Sequence, residues 1–289
     1  MTLADIGRAL ALQAGYNAAL VSLGAALLGA AAGAAGTFLT LRRRALMSDA
    51  MAHATLPGIG LAFLVMAAAG GEGRFLPGLM LGAALTAGLG LWAVQRLARQ
   101  IHEDAATGAV LASFYGAGIV ILTLIQGLGI GRPAGLETVL LGSTAGMLRA
   151  DAVVIGLGGA LVASALWALR RPLAMVAFDP LHAQMMGINP RRMDAILMAL
   201  VLAVVLVGLN VTGLILIVAL LVTPAVTARL WSGTVQGVAL RAALIGAGCG
   251  YGGAAVSAGV PDLPTGPVIV LLATAAFALS LVMRTRAHG

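Results

Sequence analysis

The sequence predicts an all-α polytopic membrane protein. Of its 289 residues, 61% are hydrophobic and only 9% are charged, and the mean hydropathy is +1.04. These values lie far outside the range of soluble globular domains. Apolar stretches of about 20 residues, the length that a helix needs to cross the hydrocarbon core, recur along nearly the whole chain. No polar segment is long enough to fold separately, so we expect one transmembrane domain over residues 1–289.

Hydropathy and periodicity place the elements in order. Leu3, Ile6 and Leu10 recur at helical spacing and predict a short interfacial helix within residues 1–16. Nine spans, give or take one, are then expected at about 17–41, 46–69, 77–95, 105–126, 151–169, 193–209, 212–230, 236–257 and 265–283. The region 193–230 has two interpretations, because Asn210 and Gly213 mark either a hairpin between two spans or a break in one irregular helix.

Arginines set the predicted orientation. Thirteen of the 17 basic residues fall at one set of alternate helix ends, namely positions 42–44, 96, 99, 170, 171, 191, 192, 229, 241, 284 and 286. Only Arg74, Arg132 and Arg149 fall in the opposite loops. Because cytoplasmic loops carry the excess of basic residues, the richer side is expected to be cytoplasmic, together with the C-terminus. The net charge of +7 then follows from topology, and nucleic-acid binding is not needed to explain it.

Two residue counts exclude other chemistries. Cys249 is the one cysteine, so the chain forms neither an intramolecular disulfide nor a thiolate cluster. The sequence has no lysine, whereas a G-x-x-x-x-G-K-[ST] loop needs a lysine ammonium to reach the β and γ phosphates of a nucleotide. We therefore expect neither redox chemistry nor ATP hydrolysis in this chain, and we predict that it is not an enzyme.

Asp49 and His53 raise the question of function because they lie inside the second predicted span. An ionised carboxylate there costs on the order of several kcal/mol unless it has a partner or a wet cavity. Four positions apart, the two side chains share one helix face and can bind one cation, and the pair suits Mn²⁺, Fe²⁺ or Zn²⁺. The spacing equally allows a structural interpretation, in which Asp49 caps the helix or pairs with Arg43 or Arg44 and His53 donates to a carbonyl.

Five ordered blocks of sequence carry a resemblance to a known family. The first, RRRALMSDAMAHATLPGIGLAFL at 42–64, contains the Asp, the His and a following Leu-Pro-Gly. The others are HEDAATGAVLASFYGAGIVIL (102–122), FDPLHAQMMGI (178–188), GLILIVALLVTPAVTARL (213–230) and PDLPTGPVIVLL (261–272). In content and order these blocks resemble the permease subunits of ABC-type manganese, zinc and iron uptake systems.

The resemblance implies a permease fold of about 8–9 transmembrane helices, shared with vitamin B12 and siderophore importers. It implies the membrane-spanning subunit of an ATP-driven importer of Mn²⁺, Zn²⁺ or Fe²⁺ in the bacterial cytoplasmic (inner) membrane. The implied partners are two ATP-binding cassette ATPase subunits, an extracytoplasmic metal-binding protein that delivers the ion, and a second permease copy, identical or related. Asp49 and His53 would then be ligands along the pathway of the transported ion, and no permanently bound cofactor is expected.

Two other functions remain open from the sequence. An ion-coupled secondary metal carrier would also bury an acid and a histidine, although the inverted repeats typical of such carriers are not evident in the sequence. A permease for a metal chelate, such as a siderophore or vitamin B12, would share the fold but has less need of metal-binding side chains.

The longest predicted cytoplasmic connection, residues 170–192, is expected to contain a short helix. Asp179 can cap it, Pro180 can occupy its first turn and Gly187 can end it. By resemblance this segment is the coupling helix that docks on the ATPase, with Phe178, Asp179, Pro180, Ala183 and Gly187 as its key residues. The alternative is an ordinary interfacial helix between two spans.

Glu103 and Asp104 open the fourth predicted span. Acids favour a helix N-terminus, so capping is the preferred interpretation and metal binding the weaker one.

Pro224 lies in the middle of a predicted span and removes one backbone hydrogen bond. It predicts a kink, with Thr223 and Thr227 able to satisfy freed carbonyls, and the kink is either a hinge or a static bend.

Overall fold

The computed structural model of the chain describes residues 3–13, 15–70, 75–127, 149–260 and 263–288, and every regular element in these ranges is a helix. The helices are α1 (Leu3–Leu10), α2 (Tyr16–Leu41), α3 (Ala45–Ala68), α4 (Leu76–Leu97), α5 (Glu103–Gly127), α6 (Arg149–Ala168), α7 (Arg170–Phe178), α8 (Pro180–Met185), α9 (Pro190–Arg229), α10 (Val235–Gly259) and α11 (Thr265–His288).

The long helices coincide with the spans predicted from hydropathy. Within the described ranges, seven helices are long and apolar enough to cross a bilayer: α2, α3, α4, α5, the first part of α9, α10 and α11. An eighth is added if α6 and α7, which are bent by 63° at the break between them, form one broken span. The remaining predicted span is the second part of α9, Gly213–Arg229, which is apolar but shorter. The predicted fold class, an all-α polytopic membrane protein, is confirmed.

The region 193–230, which has two interpretations from sequence, is a helical hairpin. α9 keeps helical backbone angles except at Gly213, where φ is 75° and ψ is 171°. A Cβ placed on Gly208 would lie 3.3 Å from the Cβ of Ile217, whereas nine residues of straight helix would separate them by about 13 Å along the axis. The chain therefore reverses near Gly213, at a backbone conformation that only glycine adopts readily.

The N-terminal helix α1 contacts α10. The Tyr251 hydroxyl donates a hydrogen bond to the carbonyl oxygen of Leu10 at 2.5 Å. This bond attaches the end of α1 to a membrane-length helix, while the location of α1 at a membrane interface stays a prediction.

The chain divides into two compact units, residues 1–45 with 142–289, and residues 46–141. In the second unit, α3 approaches α4 so closely that a Cβ on Gly58 or on Gly82 would overlap the other glycine's carbonyl oxygen. Gly118 of α5 likewise packs against the Leu56 side chain. Small residues at these positions let helix backbones meet, which favours helix association in lipid. The described residues of this unit thus form three packed helices, of which α3 contains the Asp49–His53 pair.

In the first unit, α2 and α10 cross with their backbones in contact along a row of small residues. The facing pairs are Ala25 with Gly250, Gly29 with Gly246, and Gly33 with Ala242. Because the numbers rise on one helix as they fall on the other, the helices are antiparallel. A Cβ on Gly29 or on Gly246 would overlap the opposite carbonyl, so this crossing requires glycine.

We expect Gly246→Val to destabilise the protein strongly, because a side chain there would force α2 and α10 apart. The cost of such overpacking should be about 1–3 kcal/mol or more, visible as a lower melting temperature of the detergent-purified protein. Gly248→Val is the matched control, since a Cβ at Gly248 has no neighbour within 4 Å in the described structure. Equal loss of thermal stability in both variants would contradict this account of the crossing.

Candidate functional site

Asp49 and His53 lie one turn apart on α3, on the same face of the helix. The Nε2 atom of His53 is 3.3 Å from Oδ1 of Asp49. The His53 side chain is 25% exposed and the Asp49 side chain 37%, although most neighbouring positions on α3 are buried. The pair is therefore accessible from outside the packed helix interface.

The separation of these two atoms fits chelation of one cation. Two ligand atoms bound to a single divalent ion at about 2.0–2.2 Å each lie roughly 3.0–3.5 Å apart, depending on the coordination geometry. The distance between His53 Nε2 and Asp49 Oδ1 falls within that range. An ion could replace the direct contact between them without a change of helix conformation.

Tyr115 of α5 holds the ring of His53 by an aromatic contact. The two ring centroids are 5.0 Å apart and the rings are nearly perpendicular, at 81°. The other ring nitrogen of His53, Nδ1, is buried and has no hydrogen-bond partner among the described residues. Histidines that bind resident metals usually donate a hydrogen bond from the N–H of this second nitrogen to an acceptor. In His53, packing against the Tyr115 ring takes the place of that hydrogen bond.

Pro57 alters the backbone next to the pair. It lies inside α3 and lacks the N–H that would otherwise bond to the carbonyl oxygen of His53. The following residue, Gly58, is the point of close approach to α4. The Leu-Pro-Gly sequence thus frees a carbonyl at the position of a candidate ligand and packs the helix immediately beyond it.

Glu103 and Asp104 lie in the first turn of α5, where acidic side chains favour the helix N-terminus. The Thr107 hydroxyl donates to the carbonyl oxygen of Glu103 at 2.8 Å. In the part of the chain that the structure describes, no three His, Cys, Asp or Glu side chains converge closely enough to hold a metal ion. Neither acid therefore joins Asp49 and His53 in a larger cluster, and this geometry favours the capping interpretation.

The short helix α8 is built by the three residues that the sequence singles out. Asp179 precedes it and accepts a hydrogen bond from the backbone N–H of His182 at 2.9 Å, and Pro180 is its first residue. After the helix, Gly187 has a φ of +81°, and the Ile188 N–H donates to the carbonyl of Ala183 at 2.9 Å. This is the glycine-ended motif that closes many helices. The predicted capping of the segment is confirmed.

Large apolar side chains of this segment are exposed, whereas Ala183 is fully buried. The exposed fractions are 71% for Phe178, 72% for Leu181, 79% for Met185 and 63% for Met186. A contiguous group of exposed apolar residues, methionines among them, is typical of a protein-docking surface.

A protein-family model described as the ABC 3 transport family matches residues 16–284. The chain belongs to this family. The resemblance drawn from the five sequence blocks is thereby confirmed, and the chain is a multi-pass membrane protein of a transport family.

Two family relatives extend over most of the chain. The manganese transport system membrane protein MntC of Bacillus subtilis (strain 168) is 37% identical over 268 residues, which cover 92% of this chain and 60% of that protein. The chain thus spans about three fifths of the length of that relative. The zinc transport system membrane protein TroC of Treponema pallidum (strain Nichols) is 37% identical over 270 residues, 93% of this chain and 89% of the relative.

Solved structures agree on the fold. A chain of PsaBC from Streptococcus pneumoniae, solved in complex with Fab, matches with a TM-score of 0.81 and 27% identity and covers 96% of this chain and 95% of that chain. An inward-facing ABC transporter assigned to the metal-chelate type matches with a TM-score of 0.71 over 91% of this chain and 85% of that chain. At 16% identity it shows the fold alone, which agrees with the predicted similarity to chelate importers.

Pro224, in the block that also carries the family resemblance, is buried within α9. The carbonyl that Pro224 deprives of its donor is that of Leu220. The Thr227 hydroxyl donates instead to the carbonyl oxygen of Thr223 at 2.7 Å, so this bond does not satisfy the freed group. Backbone angles at Pro224 remain helical. Whether this position acts as a hinge stays a prediction.

Three residues near the functional segments escaped the sequence analysis. The effect of Pro57 on the His53 carbonyl could have been predicted, because it follows from the helical i to i+4 spacing. Tyr115 lies on another helix, and no local pattern connects it with His53. The same holds for Asp194, which the structure brings to Arg42 and Arg44.

Proposed function

We propose that the chain is the membrane-spanning subunit of an ATP-driven importer of divalent transition-metal ions. The observation that carries the proposal is the Asp49–His53 pair, spaced for chelation on a membrane-length helix of an ABC 3 family member. An oxygen and an imidazole nitrogen suit Mn²⁺, Zn²⁺ and Fe²⁺ alike, and the relatives named above are a manganese and a zinc transport protein.

The proposed site holds its ion only in transit. A transported ion must bind well enough to leave water and weakly enough to depart. Asp49 and His53 supply two ligands per chain. His53 Nδ1 has no hydrogen-bond partner among the described residues, so it lacks the outer hydrogen bond that strengthens resident metal sites. Two permease copies, identical or related, would together offer two carboxylates and two imidazoles across a twofold axis, with water completing the shell.

We infer that the energy for transport comes from two ATP-binding cassette ATPase subunits. The absence of lysine from the sequence argues against a phosphate-binding loop in this chain. Around α8, Phe178, Leu181 and Met185 are exposed, and such an apolar surface suits docking of an ATPase subunit.

The proposal includes how the ion reaches the chain and which membrane holds the chain. An extracytoplasmic binding protein would deliver the ion to the side opposite the arginine-rich helix ends. The chain would lie in the bacterial cytoplasmic (inner) membrane with its C-terminus in the cytoplasm, as the distribution of arginines predicts.

Asp49→Ala and His53→Ala should each lower Mn²⁺ or Zn²⁺ uptake by more than about tenfold, because losing a ligand should cost at least as much as losing one of its outer hydrogen bonds. Uptake of the ion into proteoliposomes, with the ATPase and the binding protein present, measures the effect. His102→Ala, near the start of α5, is the matched control and should transport normally. Unchanged uptake in the Asp49 and His53 variants, with normal amounts of protein, would refute the proposed site.

Tyr115→Ala should weaken Mn²⁺ binding by about tenfold, because the His53 ring loses the contact that holds it in place of a hydrogen bond. Tyr115→Phe keeps the ring and should bind like the wild type. Titration of the purified protein with Mn²⁺, followed by electron paramagnetic resonance, distinguishes the two. Equal affinity in the Ala and Phe variants would show that the ring contact does not position His53.

Gly187→Ile should lower the number of ions taken up per ATP hydrolysed, because a β-branched residue at a φ of +81° costs about 1–2 kcal/mol and distorts the end of α8. A Cβ at Gly187 would meet no described atom within 4 Å, so the effect is expected through the backbone. Gly233→Ile, at another open glycine, is the control. Uptake per ATP that matches the control would count against the docking role.

A further inference from the structure

Asp194, near the start of α9, is shared by two arginines from a different part of the chain. Its Oδ2 atom accepts from Arg42 Nη2 at 2.6 Å and lies 3.2 Å from Arg44 Nη1. The side chains are only 16% exposed for Arg42 and Asp194 and 22% for Arg44.

Arg42 also binds the helix that leads into the coupling segment. Its Nη1 donates to the carbonyl oxygen of Val176 in α7 at 2.8 Å. In a continuing helix that carbonyl would accept from the residue four positions later, but this residue is Pro180, which has no N–H. The Arg42 guanidinium therefore supplies the donor that the Phe-Asp-Pro sequence removes, and it joins α7 to Asp194.

The two arginines belong to the short connector, residues 42–44, that leads from α2 to α3. Here the Arg44 N–H donates to the carbonyl of Leu39 at 3.0 Å and the Arg43 N–H to that of Thr40 at 3.1 Å, the same helix-ending motif that closes α8. Arg43 occupies the position usually held by glycine, with a φ of +58°. α3 begins directly afterwards at Ala45, so no flexible residues separate the connector from α3.

We propose that Asp194 is a positioning residue for transport, which ties the connector ahead of α3 to α7 and the coupling segment. Resting on the function proposed above, the inference is that displacement of the coupling segment by the ATPase reaches the helix that carries the Asp49–His53 pair through this ion cluster. The carboxylate is the common element, because both arginines meet at one of its oxygen atoms.

Charge, more than packing, makes this connection. Hydrogen bonds between guanidinium and carboxylate are among the strongest in proteins, and losing the anion would leave two partly buried cations close together. Arg42 Nε is buried and lacks a hydrogen-bond partner among the described residues, so the guanidinium is held by its two terminal nitrogens. A cluster held in this way responds to the removal of one negative charge.

The test uses Asp194→Asn, which keeps the shape of the side chain and removes its charge, in the complex of the full chain with its ATPase. We expect uptake of Mn²⁺ or Zn²⁺ per ATP hydrolysed to fall by about tenfold, a typical size for the loss of coupling between two sites, while ATP hydrolysis itself continues. Asp194→Glu should restore most of the coupling. Arg43→Gln, which removes an exposed charge from the same connector, should behave like the wild type.

Hydrogen–deuterium exchange of the chain without its ATPase provides a readout that does not depend on transport. Asp194→Asn should accelerate exchange of the amides of residues 42–46 and 175–179, and Arg43→Gln should not affect residues 175–179. If Asp194→Asn does not accumulate in the membrane, Arg44→Gln is the second variant, since it leaves Arg42 on the carboxylate.

Three outcomes would overturn the inference: unchanged uptake per ATP in Asp194→Asn, a parallel loss of uptake and ATP hydrolysis that follows the amount of protein, or exchange rates equal to those of Arg43→Gln. A wild-type complex that takes up neither ion would instead refute the proposed function. The exchange measurement would still show whether Asp194 ties the connector to α7.

Discussion

A polar group inside the hydrocarbon core has no water to bind, and much of this structure follows from where each such group finds a partner. Threonine hydroxyls form hydrogen bonds to carbonyls of their own helix: Thr37 donates to the carbonyl of Gly33, and Thr123 to that of Ile119. Asp49 and His53 differ, because within the described residues they have mainly each other and the ring of Tyr115. A partly unsatisfied pair in this environment is what the proposed passage of a metal ion requires.

Prolines create the same problem for the backbone, and the structure supplies a replacement donor in one of the two cases that matter here. Pro180 deprives the Val176 carbonyl of its donor, and Arg42 provides one from the connector that follows α2. Pro57 does the same to the carbonyl of His53, beside the candidate ligand pair. Backbone irregularity therefore occurs in both segments that the proposed function uses, the ligand helix and the approach to the coupling segment.

Packing in this protein depends on small residues because, in lipid, the hydrophobic effect does not drive apolar side chains together. The antiparallel crossing of α2 and α10, with Gly29 against Gly246, and the approach of α3 to α4 at Gly58 bring backbones into contact. Large apolar residues, such as Leu157 at 70% exposed, remain on the outside, where a soluble protein would bury them. The packing of α3, α4 and α5 around Asp49 and His53 is one product of this arrangement.

The sequence by itself determined much of what depends on neighbours within one helix. Span positions followed from hydropathy, the shared face of Asp49 and His53 from their spacing of four, and the ends of α8 from Asp179 and Gly187. Tertiary structure alone decided which helices adjoin, and hence that Tyr115 meets His53 and that Arg42 reaches Asp194, 152 positions away. It also decided that the chain reverses at Gly213. The physical reason is that 40 glycines, spread along the sequence, offer many similar surfaces for helix contact, and only the packing of all helices together selects among them.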